Sequence, residues 1–359
     1  MVDRPPIACD EALAQLAQFD AILDVRSPGE FAEDHVPGAL NVPVLDDAER
    51  AEVGTLHKQV SAFAARRRGA VLAARNIARH VEALFSDKSR EWRPLVYCWR
   101  GGARSGAMTH VLTRIGWHAR QLEGGYRAYR RAVVAALQDL PARFEFRVIC
   151  GTTGSGKSRL LGELRRAGAQ VLDLERLAQH RGSVLGGLPA QPQPTQKMFE
   201  TRIWWTLRSF DPARPVFVES ESRKVGDLRV PDALIERMRA AHCVRVELPL
   251  PERVRLLRDE YLHFEADPQA LFAQLDCLVP LHGRERIESW KSLARQGQWD
   301  ALVERLLVEH YDPAYQRSIR RNFGRIDVAP TVRPASASEA AYAELARSLA
   351  AHGLDATVE

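Results

Sequence analysis

Residues 144–158 read F-E-F-R-V-I-C-G-T-T-G-S-G-K-S. An apolar run of strand length ends at a glycine, and the next eight residues follow the pattern Gly, four residues, Gly-Lys-Ser. Gly151, Gly154 and Gly156 let the backbone curl without Cβ clashes. The loop amides, that of Ser155 among them, then point inward at a phosphate, at the start of a helix beginning near Lys157. Lys157 brings a positive charge to the outer phosphate oxygens, and the Ser158 hydroxyl is placed to ligate Mg²⁺. The strand before and the helix after are the context the pattern requires; the alternative is a glycine-rich strand-to-helix turn with no ligand. Such a loop reports a diphosphate rather than a nucleotide as such. V-F-V-E-S-E-S-R-K (216–224) offers Glu219, with Glu221 second, as the acid on the metal side; Arg223 and Lys224 read as surface residues.

Working outward, strands are expected at 144–150, 170–174, 215–220 and 243–248, with a mainly helical stretch over 252–310. A strand at 324–328 and a helix at 338–350 follow, and Q-P-Q-P-T-Q (191–196) reads as an extended loop. Ahead of the loop, strands are expected at 21–25, 94–98 and 118–122 and helices at 62–85, 103–115 and 126–138. Alternation of this kind predicts parallel sheets flanked by helices, an α/β class. L-P-A-R-F (140–144) interrupts it, and 359 residues are long for one core. The expected domains are therefore 1–140 and 141–359.

Composition is that of a globular chain, 45% hydrophobic and 27% charged, and no apolar run approaches the ~18 residues of a membrane span. The first ten residues lack the basic-then-apolar order of a secretory signal, so a cytoplasmic location is expected. Cys9, Cys98, Cys150, Cys243 and Cys277 form no C-x-x-C pair, which argues against a zinc site or a dithiol couple, and no metal ligand set is expected. The net charge of +5 is uneven: residues 1–50 sum to −8 and residues 51–140 to +10. Arg66, Arg67 and Arg68 lead the basic stretch, followed by Arg75 and Arg79. Such a face can grip a phosphate backbone or can simply be a solvated helix surface.

A second stretch, Y-C-W-R-G-G-A-R-S (97–105), places one cysteine at a strand end before a glycine-rich turn. The amides of residues 99–104, the following helix dipole and Arg100 or Arg104 all favour an anion there. Each lowers a thiol's pKa and makes Cys98 a candidate nucleophile. A buried strand-end cysteine would need neither the glycine pair nor the arginines.

L-D-V-R-S-P-G-E-F-A-E-D-H-V-P-G-A-L-N-V-P (23–43), the Cys98 loop and L-E-G-G-Y-R-A-Y-R-R (122–131) are similar to the signatures of rhodanese domains, with one residue more between Cys98 and Arg104 than many rhodanese loops have. Joined to a phosphate loop, and with V-G-T-L-H-K-Q-V-S-A-F-A-A-R-R-R-G-A (53–70) and Q-P-T-Q-K-M-F-E (193–200), the chain resembles the tRNA 2-selenouridine synthases over nearly its whole length. The resemblance implies a rhodanese-like parallel sheet with flanking helices, then a P-loop NTPase-like α/β domain with a helical C-terminal part.

It also implies a transferase that converts wobble 2-thiouridine to 2-selenouridine through S-geranylation, with geranyl diphosphate and selenophosphate as co-substrates and no tightly bound cofactor. Cys98 would carry or position selenium, as an S-selanyl cysteine, with Arg100 and Arg104 holding negative charge. Gly151, Gly154, Ser155, Gly156, Lys157 and Ser158 would hold a diphosphate, beside Glu219. Arg66, Arg67 and Arg68 would grip the anticodon arm of tRNA, and Trp99 would receive a base, ahead of Trp204 and Trp205, which read as core residues. Asp24 and Arg26 would brace the loop as an ion pair, and His35 would pack locally. A selenophosphate-supplying enzyme is an implied partner, no membrane is involved, and the oligomeric state is not legible. The competing enzyme is an ATP-dependent sulfurtransferase or kinase with a rhodanese sulfur carrier. A nucleotide switch on an inactive rhodanese fold would not need the cysteine, and a phosphatase would more often carry His where Tyr97 stands.

Overall fold

The computed structural model describes residues 5–183, 185–187 and 191–352. The chain divides into two compact units, residues 1–136 with Glu200–Trp205, and residues 137–199 with 206–359.

The first unit is built on a four-stranded parallel sheet: β1 (Ala21–Asp24), β2 (Ala39–Asn41), β3 (Pro94–Tyr97) and β4 (Arg120–Gln121), in the order β2-β1-β3-β4. Leu23 pairs with Val96 and Asp24 with Tyr97, so β1 and β3 end at the same edge. All four residues of β3 are buried, as a central strand covered on both faces requires. Leu23, Val25, Leu72, Val96, Met108 and Leu112 form the core between sheet and helices. The helices begin on local caps: Ser27 and Glu30 form a capping box with Pro28 in the first turn, and Asp46 and Glu49 form another. Ser61 caps the long helix Ala62–Leu84. The helix Asp47–Gln59 and strand β2 were not expected from the sequence.

The second unit carries a five-stranded parallel sheet of β5 (Phe146–Cys150), β6 (Gln170–Leu172), β7 (Val216–Glu219), β10 (His242–Val246) and β11 (Thr331–Val332), in the order β11-β10-β5-β7-β6. A small antiparallel hairpin, β8 (Lys224–Val225) with β9 (Leu228–Arg229), stands apart from it. The central strand β5 feeds the phosphate loop at the carboxyl end of the sheet, where α/β folds bind ligands. Helix Lys157–Arg166 follows the loop and packs with helix Glu339–His352 through Leu160, Leu161, Tyr342 and Leu345. From Leu250 to Asn322 the chain is helical, with a second core around Phe264, Leu271, Leu275, Ile287, Trp290 and Leu302. The strand expected at 324–328 is instead a 3-10 turn, Ile326–Val328, and the strand is Thr331–Val332. Ile326 points into the core while Val328 is exposed, and the edge pairing starts only when Arg245 donates to the Pro330 carbonyl. Among the described residues no helix is long and apolar enough to cross a membrane.

Candidate functional site

Cys98 follows β3 and is buried. The Ser105 hydroxyl donates to its Sγ at 3.2 Å, and the amides of Ser105, Arg100 and Gly102 donate as well. Burial pushes the thiol up, but these four donors outweigh it and hold the group below its ordinary value. Helix Ala103–Ile115 starts at the loop, so its first-turn amides face the same region. The carbonyls of the loop are taken up elsewhere. Tyr126 N donates to Cys98 O at 2.8 Å and Arg127 N to Trp99 O at 3.1 Å, while Gln121 Nε2 donates to Gly101 O at 2.7 Å. Gly125, at φ +56°, makes this approach possible, because a Cβ there would collide with Cys98 O and Gly101 N.

The two arginines have different settings. Arg104 Nη1 lies 2.6 Å from Glu30 Oε2, and Arg50 Nε lies 3.2 Å from the same oxygen. Burial of Glu30 works against its charge, yet Arg104 above all keeps its carboxyl below the usual range. Arg100 is exposed and pairs with no carboxylate among the described residues. Trp99 is half-buried and leans on Tyr126, ring centroids 5.2 Å apart. Asp24 and Arg26 form the expected ion pair, 2.6 Å long and fully buried. Arg26 Nη2 also donates to Asp34 O at 2.6 Å, and its guanidinium sits 4.0 Å over the Tyr126 ring. His35 stacks on Phe31 and bonds its carbonyl, a local packing role.

Arg66, Arg67 and Arg68 are exposed on helix Ala62–Leu84. Successive residues turn by about 100°, so the three spread around the helix instead of forming one stripe. Arg68 is held by Glu52 at 2.7 Å and Arg75 by Glu49 at 2.8 Å, which leaves Arg66 and Arg67 as the arginines of that triplet without an ion pair among the described residues. Trp204 is buried against Tyr129, and Trp205 is partly exposed.

In the second unit, Gly154 and Gly156 take φ +78° and +75°, and helix Lys157–Arg166 starts directly after them. The Tyr342 hydroxyl donates to Ser155 O at 2.8 Å, its ring lying where a Gly156 Cβ would be, and Gly151 N donates to the Tyr315 hydroxyl at 2.6 Å. The Lys157 ammonium arches over the loop to Gly151 O, 2.7 Å away. Ser158 Oγ donates to Glu175 Oε2 at 2.6 Å, and the Glu175 amide donates to Glu219 Oε1 at 2.7 Å. Glu219 Oε2 is buried without a hydrogen-bond partner among the described residues. Burial first, and then Asp173, Glu175 and Glu221, push the Glu219 carboxyl well up; burial and Glu175 push Glu221 up to about 8. A cavity of about 680 Å³ opens over the loop, lined among others by Lys157, Ser158, Glu175, Arg181, Glu221 and Tyr261. No three His, Cys, Asp or Glu side chains among the described residues are already grouped as a metal site.

The structure thus brings Ser158 and Glu219 together through Glu175. Sequence reading missed Glu175, Ser105, Gln121 and Glu30. Ser105 follows the second arginine of the loop in the first turn of a helix, which was a usable signal. Glu175 follows β6 in V-L-D-L-E (171–175), an acid just past the end of a strand near the phosphate loop.

A family model for rhodanese-like domains matches residues 8–132, and a model described as the tRNA 2-selenouridine synthase AAA domain matches residues 144–276. The chain is 30% identical over 355 residues to a tRNA 2-selenouridine synthase of Marinobacter nauticus, covering 91% of this chain and 95% of that one. It is 34% identical over 263 residues to that of Nitrosomonas europaea, covering 72% and 68%. It is 35% identical over 326 residues to that of Cupriavidus necator, covering 82% and 87%.

Proposed function

The chain belongs to the tRNA 2-selenouridine synthase family, and on that premise we propose that it replaces the sulfur of a wobble 2-thiouridine in tRNA by selenium in two steps. The thione sulfur first displaces diphosphate from geranyl diphosphate, forming a C–S bond as the allylic C–O bond breaks. Water takes the phosphoryl group of selenophosphate as the P–Se bond breaks, releasing inorganic phosphate and selenide; the selenide adds at C2, and geranyl thiol leaves as the C2–S bond breaks. Alkylation matters because a thione is a poor leaving group and a thiol is a good one.

The observation that carries this reading is the pairing on one chain of two anion cradles. One is a thiol set among four donors; the other is a glycine-built phosphate loop with Lys157 across it. Cys98 positions the selenium donor, and the amides of the loop, with Arg100, hold its negative charge. Arg104 serves the same cradle through its tie to Glu30. Gly151, Gly154, Ser155, Gly156, Lys157 and Ser158 hold the diphosphate. The unpartnered Glu219 oxygen and the Ser158 hydroxyl form an oxygen donor set that suits Mg²⁺, which would supply positive charge against the departing diphosphate. Arg66, Arg67 and Trp99 contact the RNA, with Arg68 supporting them beside Glu52.

The test is sequential addition. Purified chain is given a 2-thiouridine tRNA, then geranyl diphosphate, then selenophosphate, and the wobble nucleoside is weighed after each. The expected masses are those of the S-geranyl and then the seleno nucleoside. ATP turnover that tracks Lys157, with no mass change on geranyl diphosphate, would replace this reading with that of an ATP-dependent sulfurtransferase.

A further inference from the structure

Beside the polar cavity over the phosphate loop lies a second, apolar one of about 60 Å³. Thr153 of the loop itself, together with Leu257, Tyr261 and Tyr311, faces both. Behind them the apolar cavity runs between Phe264, Leu271, Leu302 and Leu306, with Trp299 and Val303 on its wall. Its polar lining beyond Thr153 and the tyrosine hydroxyls is Arg258 and Glu265, which pair with each other at 2.9 Å. A π-helical turn, Leu307–Tyr311, inserts an extra residue at the junction. It sends Leu307 toward the apolar cavity and His310 toward the polar one, with Tyr311 between.

A base or ribose would lose its hydrogen bonds to water in this slot and gain almost none. A hydrocarbon loses nothing there. At roughly 10–15 Å³ for each water-sized group, 60 Å³ takes four to six such groups, about one five-carbon isoprene unit. We infer that this apolar cavity seats the distal isoprene of the diphosphate substrate's tail, and that Trp299 and Val303 set the tail's length. The inference rests on the geranyl diphosphate reading above and adds where the hydrocarbon goes and what limits it.

The test is calorimetric titration of the full chain with inorganic, geranyl and farnesyl diphosphate. The wild-type chain binds geranyl diphosphate at least tenfold tighter than inorganic diphosphate. Val303→Phe, which fills the slot from a half-buried position, weakens geranyl diphosphate at least tenfold and leaves inorganic diphosphate unchanged. Trp299→Leu, which lengthens the slot, shifts preference toward the fifteen-carbon farnesyl diphosphate at least fivefold; it carries the test alone if Val303→Phe fails to fold. Tight geranyl diphosphate binding that Trp299→Leu leaves unshifted, or that a folded Val303→Phe leaves intact, overturns the slot while the substrate reading stands. Wild-type chain that binds geranyl diphosphate no tighter than inorganic diphosphate overturns both.

Discussion

Replacing Ser105 by alanine should make Cys98 a poorer nucleophile at neutral pH. The hydroxyl is 3.2 Å from Sγ, and Ser105 is fully buried, so water does not substitute for it. A hydrogen bond to a charged group is worth about 1.5–3 kcal/mol, and about 1.4 kcal/mol is tenfold in an equilibrium. The single hydroxyl hydrogen is shared with Gly102 O at 3.3 Å, which places the effect at the low end. The expected result is a roughly tenfold lower rate of Cys98 alkylation by iodoacetamide at pH 7, vanishing at high pH where the thiol is ionised in both proteins. The adduct must be read on the Cys98 peptide, because Cys277 is exposed and reacts too. Loss of the hydroxyl also opens a little space beside the sulfur. A rate set by access would therefore rise, and a rate set by thiolate population falls. Ser105→Thr should recover most of the loss. An unchanged or faster rate in Ser105→Ala would refute the donor cradle as the cause of the lowered thiol.

In the phosphate loop, Lys157→Ala should reduce geranyl transfer at least a hundredfold and change selenation of a supplied geranylated tRNA by only a fewfold; equal loss of both would mean that one site serves both steps. Arg26→Met should lower stability in urea by about 3–5 kcal/mol, since it strands Asp24 as a buried charge; a loss below about 1 kcal/mol would contradict that. Glu221 titrates near 8 in the folded chain and has an ordinary value of 4.5, so the folded state binds the extra proton between these values and stability falls as pH rises through that window. Glu221→Gln should flatten part of this decline, Glu175 and Glu219 supplying the rest in the same direction, and an unaltered slope would show that Glu221 is not a source of it. For RNA, Arg66→Ala with Arg67→Ala should weaken binding and shallow its salt dependence more than Arg68→Ala does, because Glu52 already engages Arg68; filter binding across salt concentrations that ranks Arg68 first would reverse the assignment.

Both loops were legible because their logic is local. Glycines at 154 and 156, and Gly101 in the turn after Cys98, take positive φ that few other residues adopt, and at Gly151 a Cβ would collide with Ser155 Oγ and Val246 O. The partners of those loops were not legible. Glu30 meets Arg104 across 74 positions, and Tyr342 reaches Ser155 O across 187, so only the assembled sheet order brings them together. The Ser158 hydroxyl donates to Glu175, a partner whose position depends on how the chain turns after β6. The missed helix Asp47–Gln59 did carry a signal, the D-x-x-E capping box at Asp46 and Glu49. Strand β2, with three residues, is too short to show any period. At 324–328 the alternation of apolar and polar residues mimicked a strand, but edge pairing was available only past Pro330.

The interlock of Gly125 with the Cys98 turn has a further consequence. Every outward-facing oxygen it secures is one that cannot swing round to oppose charge on the sulfur, so the polarity of the turn is fixed before any reactant arrives. An anion forming there meets a field already in place and pays no reorganisation cost, the condition under which oriented dipoles stabilise a charge best. Loosening the Gly101–Gly125 contact would therefore blunt the chemistry even if Cys98, Ser105 and both arginines were left untouched.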